Sequence, residues 1–424
     1  MAEIKAFKGL RFTKKAGDYD TLTCPPYDII SETERLAYLE KNPNNIIRLE
    51  LPGGNEPYKT AGEILEKQIS DGILKKDDNE AIYIYEEEFT VKGVTKKISG
   101  IIAAVHLEEF EKGIVLPHEF TLSKAKTDRF NLMKATSCNF SQIYSLYNDD
   151  EKSCTKIIEK YLSTAPEIEM TDEAGLIHRL WSITDKDITQ KLSELFGDKK
   201  LYIADGHHRY ETALNYRNDC REKGICKEGG SRDYVMMMLV DMAHEGLVVF
   251  PTHRLVRDLE GFDRNEIIGK CRDYFDIEEF DDLSNAEEQL STLYSQNKKA
   301  FGFYTGGNNY TCLTLKNTDI LKKLLPEMSL ASQELDVTVL HTLILERIMG
   351  IDKKNMANQI NLTYVKAFED VTENVRQGKG QCAFILNPTR VSEIRDVAAA
   401  GEKMPQKSTY FYPKLITGLV MNQF

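Results

Sequence analysis

The stretch Leu201-Tyr202-Ile203-Ala204-Asp205-Gly206-His207-His208-Arg209-Tyr210-Glu211 decides how this chain is read. The apolar run 201–204 reads as a short strand, and it stops at a knot of titratable and anion-binding groups. Gly206 lets the backbone turn where a side chain would clash. Residues 208–218 then read as a helix, with Tyr210, Ala213, Leu214 and Tyr216 supplying its apolar contacts. Strand end, turn and first helical turn bring free backbone N–H groups, two imidazoles and a guanidinium into one small volume, which suits a phosphate. A structural turn needs only the Asp and the Gly, so His207, His208 and Arg209 exceed what a turn requires. Zinc is the weaker reading. Adjacent histidines on a helix point about 100° apart, and no His-x-x-x-His or Cys-x-x-Cys pair accompanies them.

Residues 234–240 and 247–250 read as the next strands, and the second ends in Pro251-Thr252-His253-Arg254. If both strand ends belong to one sheet, His253 and Arg254 join Asp205–Arg209 at one rim. Upstream, helices are expected over 31–41 and 58–71, and strands near 81–89 and 98–107 flank a hairpin turn at Lys92-Gly93. Downstream, strands near 299–304 and 310–315 flank Gly306-Gly307-Asn308-Asn309, in what reads as a peripheral lobe. An amphipathic helix runs from Leu335 through Val339, Leu340, Leu343, Ile344 and Ile348 to Gly350, with His341 near its apolar stripe as a core histidine. A strand near 382–386 and a helix over 391–400 follow. The expected lobes are 1–110, 111–260 (holding the Asp-Gly-His-His-Arg turn), 261–330 and 331–424, the last packing back on the site.

The composition of the 424 residues is that of an ordinary globular protein, 41% hydrophobic and 29% charged. No segment approaches the roughly 20 apolar residues of a membrane span, and Met1–Lys8 lacks a signal pattern, so the cytoplasm is the expected location. The formal net charge of −12 argues against a nucleic-acid surface. Eight scattered cysteines match neither a disulfide framework nor a zinc ligand set and read as reduced buried thiols.

Several loops carry further candidates. Gly401-Glu402-Lys403-Met404-Pro405-Gln406-Lys407-Ser408 nearly matches a P-loop, but Gln406 stands where glycine is needed, Pro405 removes a donor, and a helix rather than a strand precedes it. Lys407, Ser408 and Thr409 can still donate to an anion. His118-Glu119 after Pro117 offers an imidazole beside a base, with Lys126 and Arg129 as nearby cations for phosphate. Tyr27-Asp28 after Cys24-Pro25-Pro26 is a rigid loop ending in a carboxylate.

Pro25–Asp28, Pro117–Glu119, Lys126–Arg129, Ala204–Tyr210, Pro251–Arg254, Leu335–His341 and Met404–Lys414 together resemble the signature blocks of the family catalogued as domain of unknown function 1015, across essentially the whole chain. The Asp205–Arg209 block is also similar to the phosphate-handling turn of the ParB/sulfiredoxin-like fold, which includes free-serine kinases. The resemblance implies an α/β protein of mixed α+β sheets, with a ParB/sulfiredoxin-like core elaborated by the N-terminal, peripheral and C-terminal lobes.

The expected function is phosphoryl transfer to the alcohol group of a small metabolite, with free L-serine as first candidate and pyrophosphate or a nucleotide (ADP or ATP) as donor. Transfer of this kind is positioning and charge neutralisation. Expected catalytic residues are Glu119 as base, Asp205, His207 and His208. Arg209, Lys126, Arg129, His253, Arg254, Lys407, Ser408 and Thr409 are expected at phosphate. Asp28 and His118 are assigned to substrate, and Asp205 to a Mg²⁺ ion. The partners are a small-molecule substrate and a phosphoryl donor, with no nucleic acid and no membrane; a homodimer is left open. The alternative is a non-catalytic regulatory protein that binds a nucleotide or phosphometabolite.

Overall fold

The computed structural model describes residues 1–121 and 123–424, with only the backbone described for 123–125. The chain forms two compact units: residues 1–117, 121–247 and 413–424 make the first, and 118–120 with 248–412 make the second.

The first unit is built on a mixed nine-stranded sheet. Its path runs Val115–Leu116, Leu201–Asp205, Ile143–Tyr147, Tyr234–Asp241, Val94–His106, Ile82–Val91, Ile177–Ile183, Ile168–Thr171, with Ile4–Lys5 pairing on Val94–His106. The hairpin expected at Lys92-Gly93 is present: Val91 pairs with Val94, and both turn residues have positive φ, as a two-residue turn between right-twisted strands requires. One sheet face supplies Ile84, Ile101, Ile143, Ile203 and Leu239, which pack with Ile157, Leu192, Phe196 and Leu214 from three helices. At ~25 cal/mol per Å² of apolar surface, such burial is the main stabilising term. A second apolar cluster gathers Leu10, Leu22, Ile46, Leu65 and Leu132 around Met421. Met421 exchanges both backbone hydrogen bonds with Leu10, so the C-terminal residues 413–424 complete this unit.

The second unit holds an antiparallel six-stranded sheet in the order Phe275–Phe280, Tyr310–Leu315, Ala300–Tyr304, Cys382–Ile385, His253–Val256, Leu362–Val365. Leu255, Tyr304 and Ile385 pack on one face against Leu290, Val371 and Val375 of two helices. The helix expected after Leu335 begins as α over Asp336–Val339 and widens into a π-helix over Leu340–Ile348.

Mixed α/β architecture is thus the observed class. Three expectations change. Residues 261–330 are not a separate lobe, because their strands pair directly into the sheet of Cys382–Ile385 and His253–Val256. The expected C-terminal lobe divides at Tyr412, with 413–424 belonging to the first unit. The strands near 201 and 247 do not share a sheet: Val248–Phe250 pairs instead with Tyr410–Tyr412. Seven of the eight cysteines are buried, and Cys226 is half-buried. Among the described residues, no helix is long and apolar enough to cross a membrane.

Candidate functional site

The turn after Leu201–Asp205 is set by its glycine. Gly206 has φ +94°, and a Cβ there would stand 2.9 Å from both Nε and Nη2 of Arg209. Glycine is therefore needed twice, for the left-handed backbone and for the guanidinium folded back over the turn. Gly206 is also the N-cap of the helix His207–Glu222 and contributes no side-chain cap, so the first-turn N–H groups are not closed off by their own cap residue.

Asp205 is the centre of the cluster. One oxygen accepts from Arg209 Nη2 at 2.8 Å and the other from Lys414 Nζ. Burial would raise this carboxyl, but the charges of Lys414 and Arg209 more than reverse it and hold it well below the usual carboxylate range. Arg209 also donates from Nη1 to the Gln142 carbonyl at 2.6 Å, which fixes the plane of its fork. His207 is buried and His208 half-buried on the first helical turn. Lys414 stands in the Met404–Lys414 block but is not among the expected site residues. It lies 209 positions from Asp205, and only the return of 413–424 to the first unit brings the two together.

Arg209 also lines a cavity of about 40 Å³ with Arg129, Glu50 and Ser141, room for a few waters and not for a metabolite. Arg129 is 5% exposed and held internally: Nε donates to Asp128, Nη1 to the Glu50 carbonyl, and its guanidinium stacks 4.0 Å from the Tyr27 ring. Glu50, which sequence reasoning did not single out, is raised by burial against the opposing Arg129 charge. Lys126 pairs with Glu211 at 2.7 Å, and Asp28 is exposed on the turn Tyr27–Ile29. A Mg²⁺ ion at Asp205 would meet a carboxylate whose two oxygens already accept from Arg209 and Lys414, so one of those cations would have to give way to it.

The remaining sequence candidates gather in the second unit. His118 is buried, its Nε2 3.0 Å from Thr409 Oγ1, while Glu119 Oε1 accepts from the Lys407 N–H at 3.0 Å. The buried Ser408 carbonyl accepts from Thr389. His253 and Arg254 are consecutive strand residues and so project to opposite faces of the six-stranded sheet. His253 Nδ1 accepts from the Leu386 N–H at 3.2 Å; burial, then the Arg254 charge, hold its imidazole down to about 4, so it is neutral. His341 is a core histidine as expected, accepting at Nε2 from Arg254. The structure thus brings Asp205, His207, His208 and Arg209 together with Lys414 in one unit, and gathers His118, Glu119, Lys407, Ser408, Thr409 and Arg254 in the other.

Residues 4–338 match the family model described as "Protein of unknown function (DUF1015)". No curated protein matches significantly. Among solved structures, a conserved hypothetical protein from Pyrococcus furiosus is 15% identical with a TM-score of 0.35, covering 73% of this chain and 92% of its own. A mutant free serine kinase in complex with AMP is 12% identical with a TM-score of 0.38, covering 77% and 91%. A mutant free serine kinase in complex with ADP is 11% identical with a TM-score of 0.37, covering 73% and 88%. Scores this low say nothing of the site.

Proposed function

The chain belongs to the DUF1015 family, and from the groups gathered at its Asp-Gly-His-His-Arg turn we propose that it is a phosphotransferase acting on the alcohol group of a small metabolite, free L-serine first. Pyrophosphate or a nucleotide is the proposed phosphoryl donor. The observation that supports this reading is the pairing of one carboxylate, Asp205, with two cations, Arg209 and Lys414. The cluster carries a net positive charge at the first turn of a long helix, whose N–H groups and dipole add to the attraction for an anion.

Arg209 offers a planar fork to phosphoryl oxygens, and Lys414 neutralises the charge that spreads over them during transfer. Asp205 holds both cations in place, and His207 and His208 are proposed to donate to the same group. As the serine oxygen bonds to phosphorus and the donor oxygen leaves, the hydroxyl proton passes to a base. The test is a panel of donors (pyrophosphate, ADP, ATP) with L-serine and Mg²⁺, read by ³¹P NMR. Phosphoserine accumulating as donor disappears supports the reading. Donor binding with no transfer to serine or to a panel of other hydroxy amino acids would favour a regulatory binder of phosphometabolites instead.

A further inference from the structure

Arg254 is a cation buried without an anion. It is fully buried on the strand His253–Val256, and every partner it has is neutral: the Thr252 carbonyl, the Lys407 carbonyl at 3.3 Å, His341 Nε2 at 3.1 Å and the ring of Tyr364 at 4.8 Å. No carboxylate lies against it among the described residues, and burial holds its guanidinium down to about 10. Buried guanidinium groups are ordinarily paired with an acid, because an uncompensated charge in low dielectric is costly. Three of its five N–H donors are engaged here, which leaves two for a ligand.

The surroundings are arranged for an acceptor. Arg254 Nε–H donates to His341 Nε2, so the imidazole is neutral and carries its proton on Nδ1; burial, then the Arg254 charge, keep it so. His341 sits at the start of the π-helix, a rare widened turn that recurs at functional sites. Three residues earlier on the same helix, the Thr338 hydroxyl is buried with no hydrogen-bond partner. Lys407 is exposed, yet its carbonyl reaches the buried guanidinium, and it adopts φ +56° without being glycine. Its peptide is tethered by Glu119 on the adjoining N–H, and the strap is closed by His118 on Thr409 and by the Met404 N–H on the His118 carbonyl at 2.8 Å.

We propose that Arg254, with His341 and Thr338, forms an oxyanion site of the phosphate class inside the second unit, and that the Lys407 carbonyl fills it as a stand-in until an anion displaces the 404–409 strap. The site stands whether or not the chain transfers phosphate. The anion takes the Nη2 donor that Lys407 releases, together with the two unengaged N–H groups. The Lys407 backbone then leaves the left-handed region, and its ammonium becomes able to turn inward.

Inorganic phosphate is the probe, titrated against the full chain carrying Arg209→Met, in which the phosphate site proposed for the first unit is disabled. The readouts are melting temperature and amide exchange over 404–409. Phosphate should still raise the melting temperature and should speed exchange in the strap, relative to sodium chloride at equal ionic strength. Both effects should vanish when Arg254→Met is added, a change of shape-similar residue that leaves the sheet packed. Should the double variant fail to fold, Lys407→Gly answers the same question. It removes the left-handed strain on the strap and should change phosphate affinity at least threefold, and an unchanged affinity overturns the proposal. A phosphate response absent from the Arg209→Met chain, or intact without Arg254, also overturns it, while the phosphoserine assay judges the transfer reading separately.

Discussion

At the scale of single residues, the cations of the first unit are paired in two ways. Arg129 is held by Asp128 and the Glu50 carbonyl, whereas Arg209 and Lys414 share one carboxylate. Arg209→Lys keeps the charge and loses the fork. It should weaken binding of a phosphorylated ligand about tenfold or more and, through the lost Gln142 bond, lower stability by about 1 kcal/mol. Unchanged affinity by calorimetry would remove Arg209 from the site. Away from this site, Glu87 is fully buried, accepts from the Tyr85 hydroxyl at 2.8 Å and leaves its other oxygen unpartnered. That hydroxyl is also 2.8 Å from His178 Nδ1, and His178 Nε2 lies 3.2 Å from Asp172. Burial, opposed by His178 and the Tyr85 hydrogen bond, raises the Glu87 carboxyl to about 7. Between the usual glutamate value and about 7 the folded chain keeps a proton that the unfolded chain has released, so this group makes stability fall as pH rises across that window. Its slope is at most about 1.4 kcal/mol per pH unit. In Glu87→Gln that contribution should be gone from a plot of melting temperature against pH, and an identical plot would assign the proton elsewhere.

At the scale of elements, the strand, glycine turn and helix of the site were readable because each carries a local signal. The apolar run 201–204, Gly206 and the spacing of Tyr210, Ala213 and Leu214 are all contained within fourteen residues. Gly206→Ala tests that reading. It strains a φ of +94° and drives a methyl to 2.9 Å from Arg209, so stability should fall by about 1–2 kcal/mol and the Arg209–Asp205 pair should be displaced. A variant with native stability and ligand affinity would show that the turn tolerates a side chain. Other elements carry only part of their structure in local sequence. The apolar spacing after Leu335 gives a helix but not its widening into a π-helix, since both forms bury Leu340, Leu343 and Ile344. The run 247–250 reads as a strand, but its partner Tyr410–Tyr412 lies some 160 residues on, and no local pattern encodes such a pairing.

At the scale of the whole molecule, the fold class was legible and the lobe boundaries were not. Periodicity reports which residues are buried, not which strands meet. The peripheral lobe expected over 261–330 dissolves into a sheet closed by Cys382–Ile385 and His253–Val256. Residues 413–424 leave the unit that precedes them and complete the other, which is how Lys414 reaches Asp205. Their contribution was invisible for the same reason: Lys414 is an ordinary lysine between Pro413 and Leu415 until the chain folds back. The sequence candidates likewise fall into two groups, Asp205–Arg209 in one unit and His253, Arg254 and Lys407 in the other, although the motifs alone suggested a single rim. The Asp205–Arg209 turn with Lys414 is proposed to receive a phosphoryl group. A crystal structure of the chain with pyrophosphate tests it most directly. Phosphoryl oxygens should lie within about 3 Å of Arg209, of Lys414 and of the first-turn N–H groups of the helix His207–Glu222. Pyrophosphate bound elsewhere, with the Arg209–Asp205–Lys414 cluster unchanged and bare, would contradict it.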